Sequence, residues 1–294
     1  MHNEHPQKLE AALYVVATPI GNLRDITLRA LDVLAAANVV AAEDTRNTAH
    51  LLTHHGIGAN RLMAVHQHNE RAAAEKIVAL LQAGQSVAFV SDAGTPAVSD
   101  PGALLVQAVR AAGLRVIPIP GANAAIAALS AAGTLSIDGS ANPHFLFHGF
   151  LPNKSAARRT ALESLRDQAC TLVFYEAPHR IVECVADLCA VLGGERQIVL
   201  AREITKLFET IHACPLRDAG AWLESDSNRQ RGEFVVLVSG AVPQPGLPAE
   251  ARRILETLLG ELPLKQAVQL ATQISGAGRN ELYQLALQMK AAPE

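Results

Sequence analysis

The segment from Ser91 to Gly102 gathers groups that can meet a ligand. Asp92 and Asp100 bring two carboxylates into one loop, Gly94 and Gly102 let a ligand approach the backbone, and Pro96 and Pro101 stiffen the turn. Before it lies Val87–Val90, an apolar run that reads as a buried strand; after it, Ala103–Val109 has helical spacing. A loop at the carboxyl end of a strand in an open α/β sheet borders the ligand crevice. The competing account is an ordinary strand-to-helix turn, because Asp100 before Pro101 suits an N-cap followed by proline at the first helical position.

Three further loops repeat this arrangement. Leu13–Ala17 leads into Thr18-Pro19-Ile20-Gly21-Asn22-Leu23, Val39–Ala42 into Glu43-Asp44-Thr45-Arg46, and Arg115–Ile119 into Pro120-Gly121-Ala122-Asn123. The chain has neither a G-x-G-x-x-G fingerprint nor a G-x-x-x-x-G-K-[ST] loop, which speaks against a ligand held by its phosphates.

The elements that must position these loops follow from periodicity. Strand candidates alternate with helices at 27–37, 46–54, 70–83, 101–112 and 122–132, in the order β-α-β-α-α-β-α-β-α, which implies a largely parallel sheet covered on both faces. Residues 1–12 read as a tail, 13–139 as a first α/β domain with its connection near 133–143, and 140–240 as a second α/β domain. The second has strands near 145–149, 171–175, 197–201, 210–213 and 233–239, with helices at 154–166, 178–192 and 218–223, a mixture that suggests a mixed sheet. Residues 241–248 form a proline-rich linker. Residues 249–294 carry three helical patterns broken at Leu262-Pro263 and Ser275–Gly278, consistent with a helix-turn-helix-like unit or with a helical cap on the second domain.

With 294 residues, 49% of them hydrophobic, the chain can form two sizeable cores. No apolar run approaches the ~20 residues of a membrane span, and Met1–Pro6 has no leader pattern, so a protein retained in the cytoplasm is expected. Cys170, Cys184, Cys189 and Cys214 lack paired spacing and are expected to be reduced. His50/His54 and His66/His68 lack a third ligand at zinc-site spacing, so no metal is expected. A net charge of −3 argues against a chain coated in nucleic-acid-binding charge. Lys154, Arg158, Arg159 and Arg166 against Glu163, and Arg252, Arg253, Lys265 and Arg279 near the end, form local basic patches or solvated helix faces.

Seven motifs in order carry a resemblance that covers nearly the whole chain. They are Ala17–Leu23, Ala42-Glu43-Asp44-Thr45-Arg46, Ser91–Gly102, Pro120–Asn123, His148-Gly149-Phe150-Leu151-Pro152, Tyr175-Glu176-Ala177-Pro178-His179-Arg180, and Ala201-Arg202-Glu203-Ile204-Thr205-Lys206. In these the chain resembles the ribosomal RNA small subunit methyltransferase I family of the tetrapyrrole methylase superfamily. The small-molecule branch of that superfamily opens with Gly-x-Gly-Pro-Gly-Asp after the first strand. Ala17-Thr18-Pro19-Ile20-Gly21-Asn22 departs from that pattern and matches the RNA branch.

The resemblance implies two α/β domains with a cofactor cleft between them and a small C-terminal helical unit. It implies transfer of methyl from S-adenosylmethionine to the ribose 2′-hydroxyl of a cytidine in small-subunit (16S) RNA, within the assembled 30S subunit, by a homodimer. That cofactor has no phosphates; loops rich in Ala, Gly, Pro and Thr with nearby carboxylates suit it. It is placed against Pro19, Asp92, Ala93, Gly94, Thr95, Asp100, Pro120, Gly121, Ala122, Asn123 and Ala124, with Tyr175 and Glu176 closing the far side. Because a ribose hydroxyl is a poor nucleophile, a base or a cation would help it. Glu43, Asp44 and Lys206 are the candidates, although two carboxylates before Arg46 also make a common salt-bridged helix start. RNA contacts are expected from Arg46, Lys154, Arg158, Arg159, Arg180, Arg252, Arg253, Lys265 and Arg279. A small-molecule methylase and a non-catalytic ribosome-assembly factor remain as rival readings.

Overall fold

The computed structural model describes residues 9–58, 61–133, 135, 143–242 and 249–291. The first sheet is built from β1 (Leu13–Val16), β2 (Val39–Ala42), β3 (Arg61–Ala64), β4 (Val87–Val90) and β5 (Val116–Ile119), in the order β3-β2-β4-β1-β5. Every pairing in it is parallel. Alternate side chains of each strand enter two different cores. Tyr14, Val16, Val40 and Val90 meet α1 (Leu28–Ala36) and α2 (Thr45–His54) on one face. Leu13, Val39, Ala41 and Phe89 meet α3 (Glu70–Gln82) and α4 (Ala103–Ala111) on the other. The chain leaves β1 toward one edge and β4 toward the opposite edge. The adjacent carboxyl ends of β1 and β4 are therefore the switch point at which an open sheet forms its ligand crevice.

β3 is absent from the strand order read from the sequence. Arg61 and Ala64 are exposed and Leu62 and Met63 only half-buried, so this edge strand lacks the apolar run that marks its neighbours. The helix after β4 also begins later than expected. Gly102, not Asp100, occupies the N-cap position of α4, with a backbone φ of +130°. The cap is supplied from elsewhere: Glu70 Oε1, on the first turn of α3, accepts hydrogen bonds from the N–H groups of Gly102, Leu104 and Leu105 at 2.8, 2.9 and 3.2 Å. A buried carboxylate at a helix N-terminus is stabilised by unpaired N–H groups and the helix dipole. Asp100 is thereby released from capping.

The second sheet, order β6-β7-β10-β8-β9, consists of β6 (Phe145–Phe150), β7 (Thr171–Glu176), β8 (Gln197–Arg202), β9 (Thr210–Pro215) and β10 (Phe234–Val238). Only β6 and β7 pair in parallel; the other pairings are antiparallel, making the sheet mixed. One face packs on α6 (Ser155–Glu163), α7 (Ile181–Leu192) and α8 (Leu216–Glu224). The other face packs on α5 (Ala124–Ala132), which follows the last strand of the first sheet. The α5 sequence, Ala-Ala-Ile-Ala-Ala-Leu-Ser-Ala-Ala, is apolar nearly all round, as a helix between two layers must be. A register shift at Phe147/Gly149 in β6 brings Gly149, φ +78°, against the first domain. A Cβ there would lie 3.4 Å from Ser99 Oγ.

The connection expected near 133–143 and the linker at 241–248 lie largely outside the described residues. The C-terminal helices α9 (Ala249–Glu261), α10 (Leu264–Ser275) and α11 (Arg279–Ala291) enclose a core of their own, including Leu255, Val268 and Leu282. Gly276, in the left-handed conformation, terminates α10. Among the described residues no helix is long and apolar enough to cross a membrane. None of the four cysteines is in a disulfide.

Candidate active site

The loops after β1 and β4 are joined backbone to backbone. Thr18 N donates to Gly94 O at 2.9 Å and Gly94 N to Thr18 O at 3.1 Å. Gly94 sits at φ +77°, with the Ile20 side chain 3.3 Å from where a Cβ would stand, so this crossing favours glycine. The loop after β5 closes the same end: Thr95 Oγ1 donates to Ala122 O at 3.0 Å, and Gly121 passes so near β1 that a Cβ would meet Ala17 Cβ at 2.9 Å.

Against these loops stands the second domain. Tyr175, at the end of β7, accepts a hydrogen bond on its hydroxyl from Ala125 N at 3.3 Å, and its ring packs edge-on to Phe150. The turn after β8 supplies the remaining wall. Glu203 and Thr205 in it have φ +51° and +69°, left-handed conformations that cost non-glycine residues strain. Gly232, φ +84°, makes room for this turn, since a Cβ there would lie 2.3 Å from Glu203 Cγ. Lys206 reaches from the turn onto the first domain, where Gly21 accommodates it: a Cβ on Gly21 would be 2.5 Å from Lys206 Cγ. Its ammonium is held by Glu203 Oε1 at 2.8 Å and Glu233 Oε2 at 2.9 Å.

Two adjoining cavities result. The first, ≈ 320 Å³, lies between the domains and is lined by Ala93–Thr95, Val98–Asp100, Asn123, Ala124, Phe150, Tyr175–Pro178 and the Glu203–Lys206 turn, among others. The second, ≈ 410 Å³, lies against the first domain and is lined by Thr18–Gly21, Leu23, Asn47–Thr48, His50–Leu51 and Ser91–Ala93. Ile20, Ala93, Lys206 and Glu233 line both. Asp100 faces the first cavity; burial raises its pKa above the ordinary carboxylate value, against a hydrogen bond with Ser91 that lowers it.

The structure divides the residues expected to hold the cofactor. Ala93, Gly94, Thr95, Asp100, Asn123, Ala124, Tyr175 and Glu176 line the inter-domain cavity. Pro19 and Asp92 line the second cavity instead. Pro120, Gly121 and Ala122 line neither and serve to close the loops. Glu176 contributes wall rather than free charge, because its carboxylate is fully buried and accepts from Ala177 N at 2.7 Å and Arg180 Nη2 at 2.9 Å.

The catalytic candidates are divided too. Glu43 and Asp44 line neither cavity. Asp44 caps α2, accepting from Arg46 N at 2.8 Å, and pairs with the Arg46 guanidinium at 2.6 Å, which holds its pKa down at about 2. Glu43 Oε2 accepts from Asp92 N at 3.4 Å; burial raises its pKa. Lys206 alone of the three meets the cavities. Glu203 and Glu233 beside it were missed, although Glu203 falls inside the Arg202–Lys206 motif.

The basic residues expected to contact RNA behave differently from one another. Arg158 is fully buried in an ion pair with Asp187, Nε to Oδ2 2.6 Å, so it offers nothing to a phosphate. Arg180 is also mostly buried, its guanidinium clamped between Glu176 and the Leu151 carbonyl. Arg159 is half-exposed but shares Asp187. Lys154, Arg46, Arg252, Arg253, Lys265 and Arg279 are exposed, Arg46 and Arg252 being paired with Asp44 and Glu256. Among the described residues no three His, Cys, Asp or Glu side chains are arranged to hold a metal.

Two α/β domains meet at an acid-rimmed cleft, and residues 12–220 match the family Tetrapyrrole (Corrin/Porphyrin) Methylases, so the chain has a two-domain methylase fold. The fold is shared with the uroporphyrin-III-C-methyltransferase of Thermus thermophilus, with a TM-score of 0.56 at 23% identity over 78% of this chain and 94% of that one. It is shared also with a uroporphyrin-III C-methyltransferase from that organism complexed with S-adenyl homocysteine, with a TM-score of 0.53 at 17% identity over 78% of this chain and 97% of that one. The chain belongs to the ribosomal RNA small subunit methyltransferase I family. It is 51% identical to the member of that name from Escherichia coli O157:H7 over 96% of both chains, and 53% identical to that from Pseudomonas aeruginosa over 94% of this chain and 96% of that one. Residues 245–290 match the RsmI C-terminal HTH domain.

Proposed function

We propose that the chain transfers the methyl group of S-adenosylmethionine to the ribose 2′-hydroxyl of a cytidine in 16S RNA, acting in the cytoplasm as a homodimer on the assembled 30S subunit. Its family supports ribosomal RNA methylation, and the S-adenyl homocysteine complex of a protein of the same fold supports the cofactor. The observation that carries the ribose assignment is Lys206, a fixed cation on the wall common to two cavities, suited to an oxygen that gains negative charge as it is methylated.

The inter-domain cavity fits the cofactor. Ala93, Val98, Ala124, Tyr175 and Pro178 give it apolar sides, while Asp100, Glu203 and Glu233 give it negative charge. When bound, the cofactor supplies an electrophilic methyl on a positively charged sulfur. Asp100 balances that charge. Lys206 stabilises the acceptor oxygen, and Glu233, beside it, takes the hydroxyl proton.

Small ribosomal subunits from a strain lacking the activity test the assignment. Incubation with the chain and S-adenosylmethionine is expected to add one methyl to one cytidine and to make the following phosphodiester resistant to alkali, because the 2′-oxygen can no longer attack it. Methyl found on a base carbon or nitrogen would remove the ribose assignment.

Asp100 gives the cofactor a pH dependence. A cation binds best to the ionised carboxylate. Affinity is therefore expected to hold at neutral pH and to fall as pH drops through the raised Asp100 pKa. Asp100→Asn should bind about tenfold more weakly, the scale of one charge-assisted hydrogen bond, and should lose that pH dependence. Calorimetry over a pH series on both proteins checks this; parallel curves would place the titrating group elsewhere.

A further inference from the structure

We infer that the second cavity is the acceptor pocket and takes one unstacked cytidine nucleotide of the RNA, ribose toward Lys206 and base toward the first turns of α2. The inference rests on the methyl-transfer reading above. In-line transfer needs the acceptor oxygen about 3 Å from the methyl group, so the acceptor must occupy space that opens onto the cofactor cavity. The second cavity adjoins it, with Ile20, Ala93, Lys206 and Glu233 lining both.

Its chemistry suits a nucleotide. The inter-domain cavity is largely apolar at its sides, whereas this one presents Thr18, Asn47, Thr48, His50, Ser91 and Asp92. At ≈ 410 Å³ it lies in the range of small-molecule pockets. Single-stranded RNA is recognised by splaying bases out and hydrogen-bonding their edges. Asp92 is held in place by Asp44 N on one oxygen, 3.1 Å, and Asn47 Nδ2 on the other, 3.2 Å. Each carboxylate oxygen keeps a further lone pair, which can accept from the exocyclic amino group of cytosine and repels the carbonyl that uracil presents there. His50 and the remaining Asn47 N–H can serve the acceptor edge. Arg24 and Arg46, chain neighbours of the lining residues Leu23 and Asn47, are exposed, Arg46 while paired with Asp44, and can meet the flanking phosphates.

The test uses the full chain, small ribosomal subunits whose RNA lacks the methyl group, and S-adenosylhomocysteine as cofactor probe. His50→Trp fills the pocket, and Asn47→Ala removes a donor without adding bulk. Each is expected to lower kcat/KM for RNA by about tenfold or more, one hydrogen bond or its steric equivalent, with unchanged affinity for S-adenosylhomocysteine. A thermal melt selects the variants that fold; where His50→Trp does not, Asn47→Ala decides. Unaltered RNA turnover would show that the acceptor enters elsewhere. Loss of S-adenosylhomocysteine affinity would give the cavity to the cofactor. Absence of RNA methylation in the wild-type chain would overturn the functional reading itself, a distinguishable failure.

Discussion

Asp187→Ala is expected to destabilise the protein by about 3–5 kcal/mol, the scale of breaking one side of a buried ion pair. The Asp187 carboxylate is almost wholly buried and accepts from Arg158 Nε at 2.6 Å, Arg159 Nε at 2.6 Å and Ser155 Oγ at 3.0 Å. Its removal strands the Arg158 guanidinium, which has no exposure; the remaining carboxylate within reach, Glu183 at 3.7 Å, is largely in solvent. Arg158→Met with Asp187→Leu, which removes both charges and keeps the volume, should recover much of the loss, because apolar replacement of a buried pair is often neutral. Urea denaturation of Arg158→Met, Asp187→Leu and the double variant reads the coupling. Additive losses would mean that the two side chains do not act as a pair. Burial raises the Asp187 pKa, but the hydrogen bonds from Arg159, Arg158 and Ser155 outweigh it and leave the pKa lowered. Its stabilising contribution is therefore complete above the ordinary aspartate pKa of about 3.9 and is lost as pH falls through the lower folded value. Arg158→Met, where it folds, should leave the salt dependence of RNA binding unchanged, since a buried guanidinium releases no counterions.

This pair also shows where sequence reasoning stops. Lys154 and Arg158 are four residues apart, and on an isolated helix that spacing offers one basic face to solvent. What decides the fate of Arg158 is Asp187 on α7, a partner that becomes visible only when the two helices pack. The α4 cap has the same lesson. Asp100-Pro101 satisfies the local rule for a helix start, yet a carboxylate from thirty residues upstream supplies the cap. Local signals name the groups that want partners; they do not choose among partners distant in sequence.

Elements whose signals are local were legible. The strands of the two sheets other than β3 carry apolar runs, and their helices carry apolar stripes. β3 carries neither, because it pairs on one side only and its ends face solvent. The site was legible as a set of loops, since glycine, proline and aspartate at strand ends mark backbone crossings. Its partition was not. Asp92 and Asp100 stand in the same short loop, but one turns to the α2 N-terminus and the other to the inter-domain cavity. Glu233 lacked any local signal, as a lone carboxylate at the start of an apolar strand.

Lys206→Met is expected to reduce the rate of methyl transfer by about 10²–10³, the cost of removing one preorganised group that stabilises developing charge. Burial disfavours the ammonium, but hydrogen bonds to Glu203 and Glu233 outweigh it and raise the Lys206 pKa. Both carboxylates thus favour the charged form of Lys206, which suits it to stabilising charge rather than to taking a proton. Its position is fixed by both carboxylates and by the Gly21 backbone, so no reorganisation is needed when the acceptor oxygen gains charge. The competing account is that Lys206 only ties the second domain to the first. Lys206→Arg separates the two, because arginine keeps the tie and the charge but spreads that charge over a planar group. Single-turnover transfer with saturating RNA and cofactor is the discriminating measurement. An electrostatic role predicts a slow chemical step in Lys206→Met with near-normal cofactor affinity, and partial recovery in Lys206→Arg. A tie alone predicts weakened cofactor binding in Lys206→Met and a normal rate once binding is saturated, which would remove Lys206 from the chemistry. Gly21→Ala supplies an independent displacement of the same ammonium: its Cβ would stand 2.5 Å from Lys206 Cγ, so the side chain must move although its charge is intact. If position matters as much as charge, Gly21→Ala slows single-turnover transfer while the lysine remains in place in the sequence.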